Sequence, residues 1–524
     1  AYDRHLAPPR AADAAAPSEA PRPSAATGPE AARPGDPATA RAGAAGAVRG
    51  PDRLREAVAR RWSDEALADS ARAMDAAAGR WVYGDTLGAL VACYVDPITY
   101  RDLVVAGIKN LRAALDSAEF RARFPEAADD AKRARLADAL EILSLKAGAA
   151  HPWLAWHAEE WLTVVLEKNR ALLGLPDGAV VAEMLFGALD SLDPYTRFLT
   201  TEMLAVWDEE LEGRYTGIGA ELVARDGRLF VGEVFEGGPA AAAGLARGDE
   251  IAAIDGEAVG PLALAEATRR LRGRSGTRVA LTVRPGGRGE VREVAVERAA
   301  VRVPSVRGAR RLAGTDGVGY LRLVDFKSGT EKELRAALRG LAGQGATAIV
   351  LDLRDNPGGS LLDAVGVVGA LVAKGRVVQT RGRLPGATWS YDVSPLARPA
   401  WTGPLAVLVS GETASAAEVV AAALASHGRA AVVGARTYGK GAVQIVVPVG
   451  GGPSALCVTI ARVYDPAGRC LEISGVAPDR CVARAAAPPA SLEDDPAVRA
   501  AVEACRAAAA PSPAPGAGAT HDFP

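Results

Sequence analysis

Residues 346–373, ATAIVLDLRDNPGGSLLDAVGVVGALVA, pass from a short apolar run through a Gly-Gly turn into a second run with helical spacing. A continuous apolar run bounded by a turn reads as a strand buried on both faces, and the segment after it as a helix. Residues 404–428, PLAVLVSGETASAAEVVAAALASHG, follow the same plan. Strand, tight turn and helix, twice over, predict a parallel sheet covered by helices. Ligands of such sheets gather at the carboxyl ends of the strands. The first turn brings Asn356, Pro357, Gly358 and Gly359 to that edge, and the second brings Ser415.

The rest of the chain is organised around this core. Residues 1–50 are rich in Ala, Pro, Gly and Arg, with almost no large apolar side chain to offset ordering entropy, so a disordered tail is expected. Helical spacing then dominates to about residue 200, as in LVVAGIKNLRAAL (103–115) and VVAEMLFGALDSL (180–192). From about 212 to 300 short strands and Gly-rich turns take over, with one helical stretch, PLALAEATRRLRG (261–273). Strand and helix patterns alternate from about 315 to 480, and the final RAAAAPSPAPGAGATHDFP (506–524) again has the composition of a tail.

Composition narrows the function. Sixty-one Lys and Arg against 63 Asp and Glu leave a net charge of −2, so no basic field is available to hold nucleic acid. No apolar run reaches the ~18 residues of a membrane span. Cys93, Cys457, Cys470, Cys481 and Cys505 form no C-x-x-C pair, which argues against zinc ribbons and redox motifs. Spacing alone leaves a Cys470–Cys481 disulfide open. The opening AYDRHLAPPR lacks the charged and apolar regions of a signal peptide, which leaves the compartment open too.

Two readings stand for Ser415. With Glu418 it forms S-x-x-E, a capping box that would satisfy orphan amides at a helix start. Alternatively it is a nucleophile beside an anion site. The Ala416 amide would point out of the first helical turn, and Gly358 or Gly359 would supply a second donor, giving an oxyanion hole. The histidines are poorly placed as a base. His427 lies at the far end of the same helical run, His151 and His157 in the helical region, and His5 and His521 in the tails.

Lys440 lies in GARTYGKG (434–441), which fits the phosphate-binding loop G-x-x-x-x-G-K-[ST] except at its last place, Gly441. That loop also needs a helix after the lysine, whereas GAVQIVVPVG reads as a strand. A plain exposed lysine is one alternative. A buried lysine that loses its proton to become the base for Ser415 is the other.

The stretch GETASAAEVVAAALASHGRAAVVGARTYGKGAVQ (411–444) resembles the active-site segment of the carboxyl-terminal processing peptidases, or tail-specific proteases. YVDPITYRDLVVAGIKNLRAALDS and GALDSLDPYTRFL resemble the helical segment before that family's PDZ module. YTGIGAELV, EGGPAAAAGLARGDEIAAIDG and LRGRSGTRVALTVRP resemble the module itself, and VGYLRLVDF, VLDLRDNPGG and GVAPD the rest of the protease core. The helical pieces lie far apart here, so that region looks expanded.

The resemblance implies a multidomain α+β protein. Its expected parts are a disordered tail (1–50), a helical N-terminal domain (51–204), a PDZ domain (205–300), an α/β protease core with a mostly parallel sheet (301–485), and a mostly disordered C-terminal tail (486–524). It implies a serine endopeptidase with Ser415 as nucleophile, Lys440 as base and Gln444 orienting Lys440, and no metal or other cofactor. Expected partners are protein or peptide substrates with accessible C-termini, met in the periplasm or cell envelope. Gly217, Ile218, Gly219 and Ala220 match the loop whose amides capture a terminal carboxylate. Ile218, Ala220 and Leu222 alternate onto one face, read either as a groove floor or as core packing. Leu264, Ala267 and Leu271 on the nearby helix face the same choice. The rival readings are an inactive PDZ adaptor and a nucleotide-binding protein.

Overall fold

The central strands are apolar on both faces, and both faces are covered. In Ala348–Asp352 and Leu405–Val409 every residue is buried. Ile349, Leu351, Leu405 and Val407 face a layer holding the helices Thr330–Gly343, Leu361–Gly369 and Ala416–Ser426. Ala348, Val350, Ala406 and Leu408 face the opposite layer. This two-sided burial is why the strands read as continuous apolar runs instead of alternating ones.

The structure is a computed structural model. It describes residues 51–509 apart from 64, 150–152, 202, 205–206, 208–213, 236, 260–263, 453, 484–488 and 490. The expected tail 1–50, and the end of the chain from 510, lie outside the described residues.

The chain is a multidomain α+β protein. Its central sheet runs Val306–Arg311, Val318–Leu323, Ala348–Asp352, Leu405–Val409, Ala431–Gly434, Arg480–Cys481; the first pair is antiparallel and the others parallel. An antiparallel second sheet joins Arg197–Leu199, Ala455–Tyr464, Arg376–Gly382, Trp389–Asp392 and Ala442–Pro448. Among the described residues, eight α-helices and one 3-10 turn between Pro51 and Asp190 build the N-terminal region. Their core continues into the second sheet through Ile445, Leu456, Val458 and Ile460. Trp62 packs edge-on against Phe120 and Phe124 at 5.4 and 4.9 Å within it.

The β-rich module has a six-stranded sheet over its own apolar core, with the helix Leu264–Leu271 against it. Arg214–Gly217 and Ala299–Arg302, its entry and exit strands, pair antiparallel and draw its ends together. Arg307 of the central sheet's edge strand binds Glu221 Oε2 at 2.6 Å and Glu233 Oε2 at 3.4 Å, tying the module to the core.

Two expectations need correction. Arg197–Leu199, placed by sequence in the helical domain, is a strand of the second sheet, where pairing with Ala455–Cys457 buries Leu199. Residues from 486 were expected to be mostly disordered, yet Pro496–Ala509 is a helix. Its Val498, Ala501, Val502 and Cys505 complete the second face of the central sheet. Asp495 caps that helix at the Ala497 amide (2.8 Å) and binds Arg354 (2.6 Å), which also grips Asp352 at the end of a central strand. Alanine-rich composition hid the apolar stripe. None of the five cysteines is in a disulfide, so the Cys470–Cys481 pairing that spacing left open is not formed.

A chain truncated after Asp495 exposes the face covered by Val498 and Val502. At ~1.5–3 kcal/mol per buried side chain, the core should lose about 3–6 kcal/mol, read as a lower urea midpoint. An unchanged midpoint would remove the helix from the core.

Candidate active site

The turns after Ala348–Asp352 and Leu405–Val409 meet at the carboxyl edge of the sheet. Gly358 has φ +102°, and a Cβ there would lie 2.7 Å from Ser415 Cβ and 2.9 Å from the Ala416 nitrogen. Only glycine permits this approach. Asn356 is fully buried and fixes the first turn, donating to the Leu323 carbonyl (2.8 Å) and accepting from the Gly358 amide (2.9 Å). Gly358, one of the two expected oxyanion donors, therefore already spends its N–H on Asn356. The Gly359 and Ala416 amides have no hydrogen-bond partner among the described residues.

Ser415 precedes the helix Ala416–Ser426 with φ +55° and ψ −120°, a backbone state that costs an L-residue of order 1–3 kcal/mol. Its hydroxyl makes no capping hydrogen bond. Only the Glu418 half of the capping box is formed, with the Ser415 amide donating to Glu418 Oε2 at 2.8 Å. The serine is held by its backbone, and its side chain is not consumed by the cap.

Glu418 is fully buried and ties the site together. Its Oε2 also accepts from the Lys440 amide (2.8 Å), and its Oε1 from the Gly439 amide (2.7 Å) and the Thr437 hydroxyl (2.5 Å). Four donors aimed at one carboxylate, itself in the first turn of a helix, repay much of the cost of burying its charge. One side chain thus fixes the backbones of both Ser415 and Lys440.

The glycines around Lys440 are there for space. A Cβ at Gly441 would lie 2.1 Å from the Glu472 nitrogen, so the hydroxyl residue of a nucleotide loop does not fit. The next element is the strand Ala442–Pro448, not the helix such a loop requires, and the nucleotide reading fails on both counts. The Lys440 amine sits 5.0 Å from the centre of the Tyr195 ring. Burial holds its pKa below the ordinary lysine value, and Arg197 adds to this, while Cys457, Asp193 and Glu472 oppose it.

The expected Gln444–Lys440 hydrogen bond is not formed. Gln444 donates to Thr459 Oγ1 at 3.2 Å instead, because the strand pairing sets those residues side by side. Among the described residues the Lys440 amine has no hydrogen bond to Ser415 either. His427 caps the far end of the Ser415 helix and bonds the Arg376 carbonyl, and His157 bonds the Leu154 amide, so neither serves Ser415. His5, His151 and His521 lie outside the described residues.

In the β-rich module a cleft of ≈ 1070 Å³ is lined by Ile218, Ala220, Leu222, Leu264 and Leu271, with Arg307 and Tyr320 of the core opposite. Ile218, Ala267 and Leu271 are buried in the module's core, whereas Ala220 and Leu222 are half-buried and Leu264 is exposed. Core packing therefore accounts for Ile218, Ala267 and Leu271, while Ala220, Leu222 and Leu264 line the cleft. The Gly217–Ala220 loop packs on Tyr215, since a Cβ at Gly217 would meet that ring at 2.7 Å. Burial raises the Tyr215 pKa, while the Gly219 and Ala220 amides lower it.

The family model described as Peptidase family S41 matches residues 317–482, and one described as PDZ domain matches residues 230–285. A carboxy-terminal-processing protease of Bartonella bacilliformis is 34% identical over 307 residues, 58% of this chain and 69% of that one. A carboxyl-terminal-processing protease of Picosynechococcus sp. is 36% identical over 305 residues, 58% of this chain and 72% of that one. This chain belongs to the carboxyl-terminal-processing protease family. It is a serine-type peptidase with a PDZ domain. Among solved structures, the photosystem II D1 C-terminal processing protease aligns with 81% of this chain and 97% of its own, at 26% identity and TM-score 0.42.

Sequence reasoning undervalued Glu418 and missed Tyr195. Glu418 was visible only as a capping partner. Tyr195, from DPYTRFL in the N-terminal region, reaches this protease's Lys440 only through the fold, and no local pattern marks it. Glu418→Gln would leave at least one buried amide unpaired, at ~1–3 kcal/mol each. It should also lower kcat/KM by ~10²-fold as Ser415 and Lys440 drift apart. Full activity in a folded Glu418→Gln protein would show that the carboxylate does not position the pair.

Proposed function

We propose that this protease is an endopeptidase that docks the C-terminal region of protein substrates in its PDZ domain and cleaves upstream, using Ser415 and Lys440. The observation that carries the reading is the shared Glu418 carboxylate, which holds the Ser415 and Lys440 backbones while the Ser415 hydroxyl is left out of the helix cap. Ser415 Oγ attacks the scissile carbonyl. Neutral Lys440, swinging its amine from the Tyr195 ring to the hydroxyl when substrate is bound, takes the proton and returns it to the leaving amine. The carbonyl oxygen, negative in the tetrahedral intermediate, lies against the Ala416 and Gly359 amides, with Gly358 shaping the turn between them. Water then hydrolyses the acyl-enzyme. Gln444 acts through Thr459 and the strand that carries it, or turns to the Lys440 amine when that amine moves.

In the PDZ domain the peptide carboxylate takes the amides of Gly219 and Ala220. Gly217 gives the loop room to close, and Ile218 and Leu222 receive the terminal side chain. We assign the working compartment to the periplasm or cell envelope on the family resemblance. No described helix is long and apolar enough to cross a membrane.

Ser415→Ala should abolish cleavage while the protein stays folded. Lys440→Arg, which keeps the charge but cannot give up its proton, should abolish it too. In the wild type, the acylation rate should rise with pH as Lys440 deprotonates. Because burial lowers that pKa, the midpoint should fall below the ~10.4 of a free lysine. Stopped-flow acylation and a digest of an unfolded protein measure these, and substantial turnover by either variant would overturn the dyad.

Amidating a substrate's C-terminus removes the charge those loop amides receive. Affinity for the isolated peptide should drop about tenfold or more, the scale of a lost charged hydrogen bond of ~1.5–3 kcal/mol. Equal affinity for the acid and amide forms would count against the carboxylate loop.

A further inference from the structure

Six described residues other than glycine have positive φ: Asp226, Asp255, Asp316, Asp355, Ser415 and Ile473. Aspartates tolerate this region because a short polar side chain can bond locally, and Ser415 belongs to the site. Ile473, at φ +68°, has no such reason. A β-branched side chain is the least suited to that backbone. Nor does core packing reward it, since Ile473 is 67% exposed. Strain retained without a packing return points to a function served by the side chain itself.

Its location says which. The Ile473 amide donates to the Gly439 carbonyl at 2.9 Å, and a Cβ on Gly439 would lie 2.8 Å from the Ile473 oxygen. The strained residue is thus clamped to the turn that carries Lys440. On the other side of that turn Tyr438 is 56% exposed, and its amide donates to the Thr413 carbonyl at 3.0 Å, two residues before Ser415. Two large apolar side chains therefore stand in water beside Lys440, Tyr438 on the turn itself and Ile473 on the segment bonded to it. A peptide carbonyl that reaches Ser415 brings its neighbouring side chains to this rim.

We infer that Ile473 and Tyr438 form an apolar rim that selects substrates with an aliphatic or aromatic residue flanking the scissile bond. The inference rests on Ser415 and Lys440 being the catalytic pair. Ile473 contributes by its position. Turning the chain into the left-handed region projects the side chain out from the Lys440 turn, where a relaxed backbone would direct it elsewhere.

The test is a mixture of peptides varied around one cleavage site, with products quantified by mass spectrometry for wild type, Ile473→Gly and Tyr438→Ala. The wild type should favour apolar over charged residues at a flanking position, and each variant should lower that kcat/KM ratio by ~10-fold, the scale of partial loss of a hydrophobic contact surface. Glycine relieves the strain at 473, so the thermal midpoint of Ile473→Gly should rise by ~2 °C. A ratio unchanged within about twofold in either variant, or a midpoint that falls in Ile473→Gly, would overturn the proposal. Labelling of Ser415 by a small fluorophosphonate separates the two failures. If the wild type is not labelled, the dyad itself is wrong; if it is labelled and selectivity does not move, the rim alone is wrong.

Discussion

The site depends on one buried carboxylate. Among the described residues Glu418 forms no ion pair; its carboxylate is met by the amides of Ser415, Gly439 and Lys440 and by the Thr437 hydroxyl. Such an arrangement is stable only if every donor stays in place, because a half-satisfied buried charge is worse than none. The carboxylate therefore constrains two chain segments that share no secondary structure, the start of the Ser415 helix and the Lys440 turn. Thr437 extends the constraint by accepting from the Val476 amide at 2.7 Å, which ties in the segment bearing Glu472 and Ile473.

Glycine is the second requirement, and it serves proximity at two places. Gly358 lets one turn touch Ser415 and Ala416, and Gly441 lets the Lys440 turn lie on the backbone of Glu472. Both are contacts of backbone on backbone, where a single Cβ would separate the parts of the site. The strain at Ser415 belongs to the same economy of space, since a relaxed serine would direct its hydroxyl into the helix cap.

The domains converge on this edge of the sheet. The N-terminal region supplies Tyr195 to the Lys440 amine, and its Thr196 hydroxyl accepts from the Thr459 amide (3.2 Å) on the strand beside Gln444. The PDZ domain is fastened through Arg307 to the edge strand of the same sheet. The C-terminal helix reaches the sheet's carboxyl edge through Asp495, Arg354 and Asp352. The catalytic core is completed by segments from both ends of the described chain.

The sequence by itself determined the layers and the chemistry on offer. Continuous apolar runs, Gly-Gly turns and helical spacing are local, so the parallel sheet, the β-rich module and the positions of Ser415 and Lys440 could be read from them. Tertiary structure alone decided what those residues face. Whether Ser415 caps its helix turns on a φ angle, and whether Gly358 is a free donor turns on Asn356 folding back to it. Tyr195 meets Lys440 only because a three-residue strand from the N-terminal region joins the second sheet. The helix Pro496–Ala509 escaped notice because alanine carries so little apolar signal, although a sheet face can bury it as completely as leucine. Local pattern reports which element forms; contact between distant segments fixes which groups are buried, paired or left for a substrate.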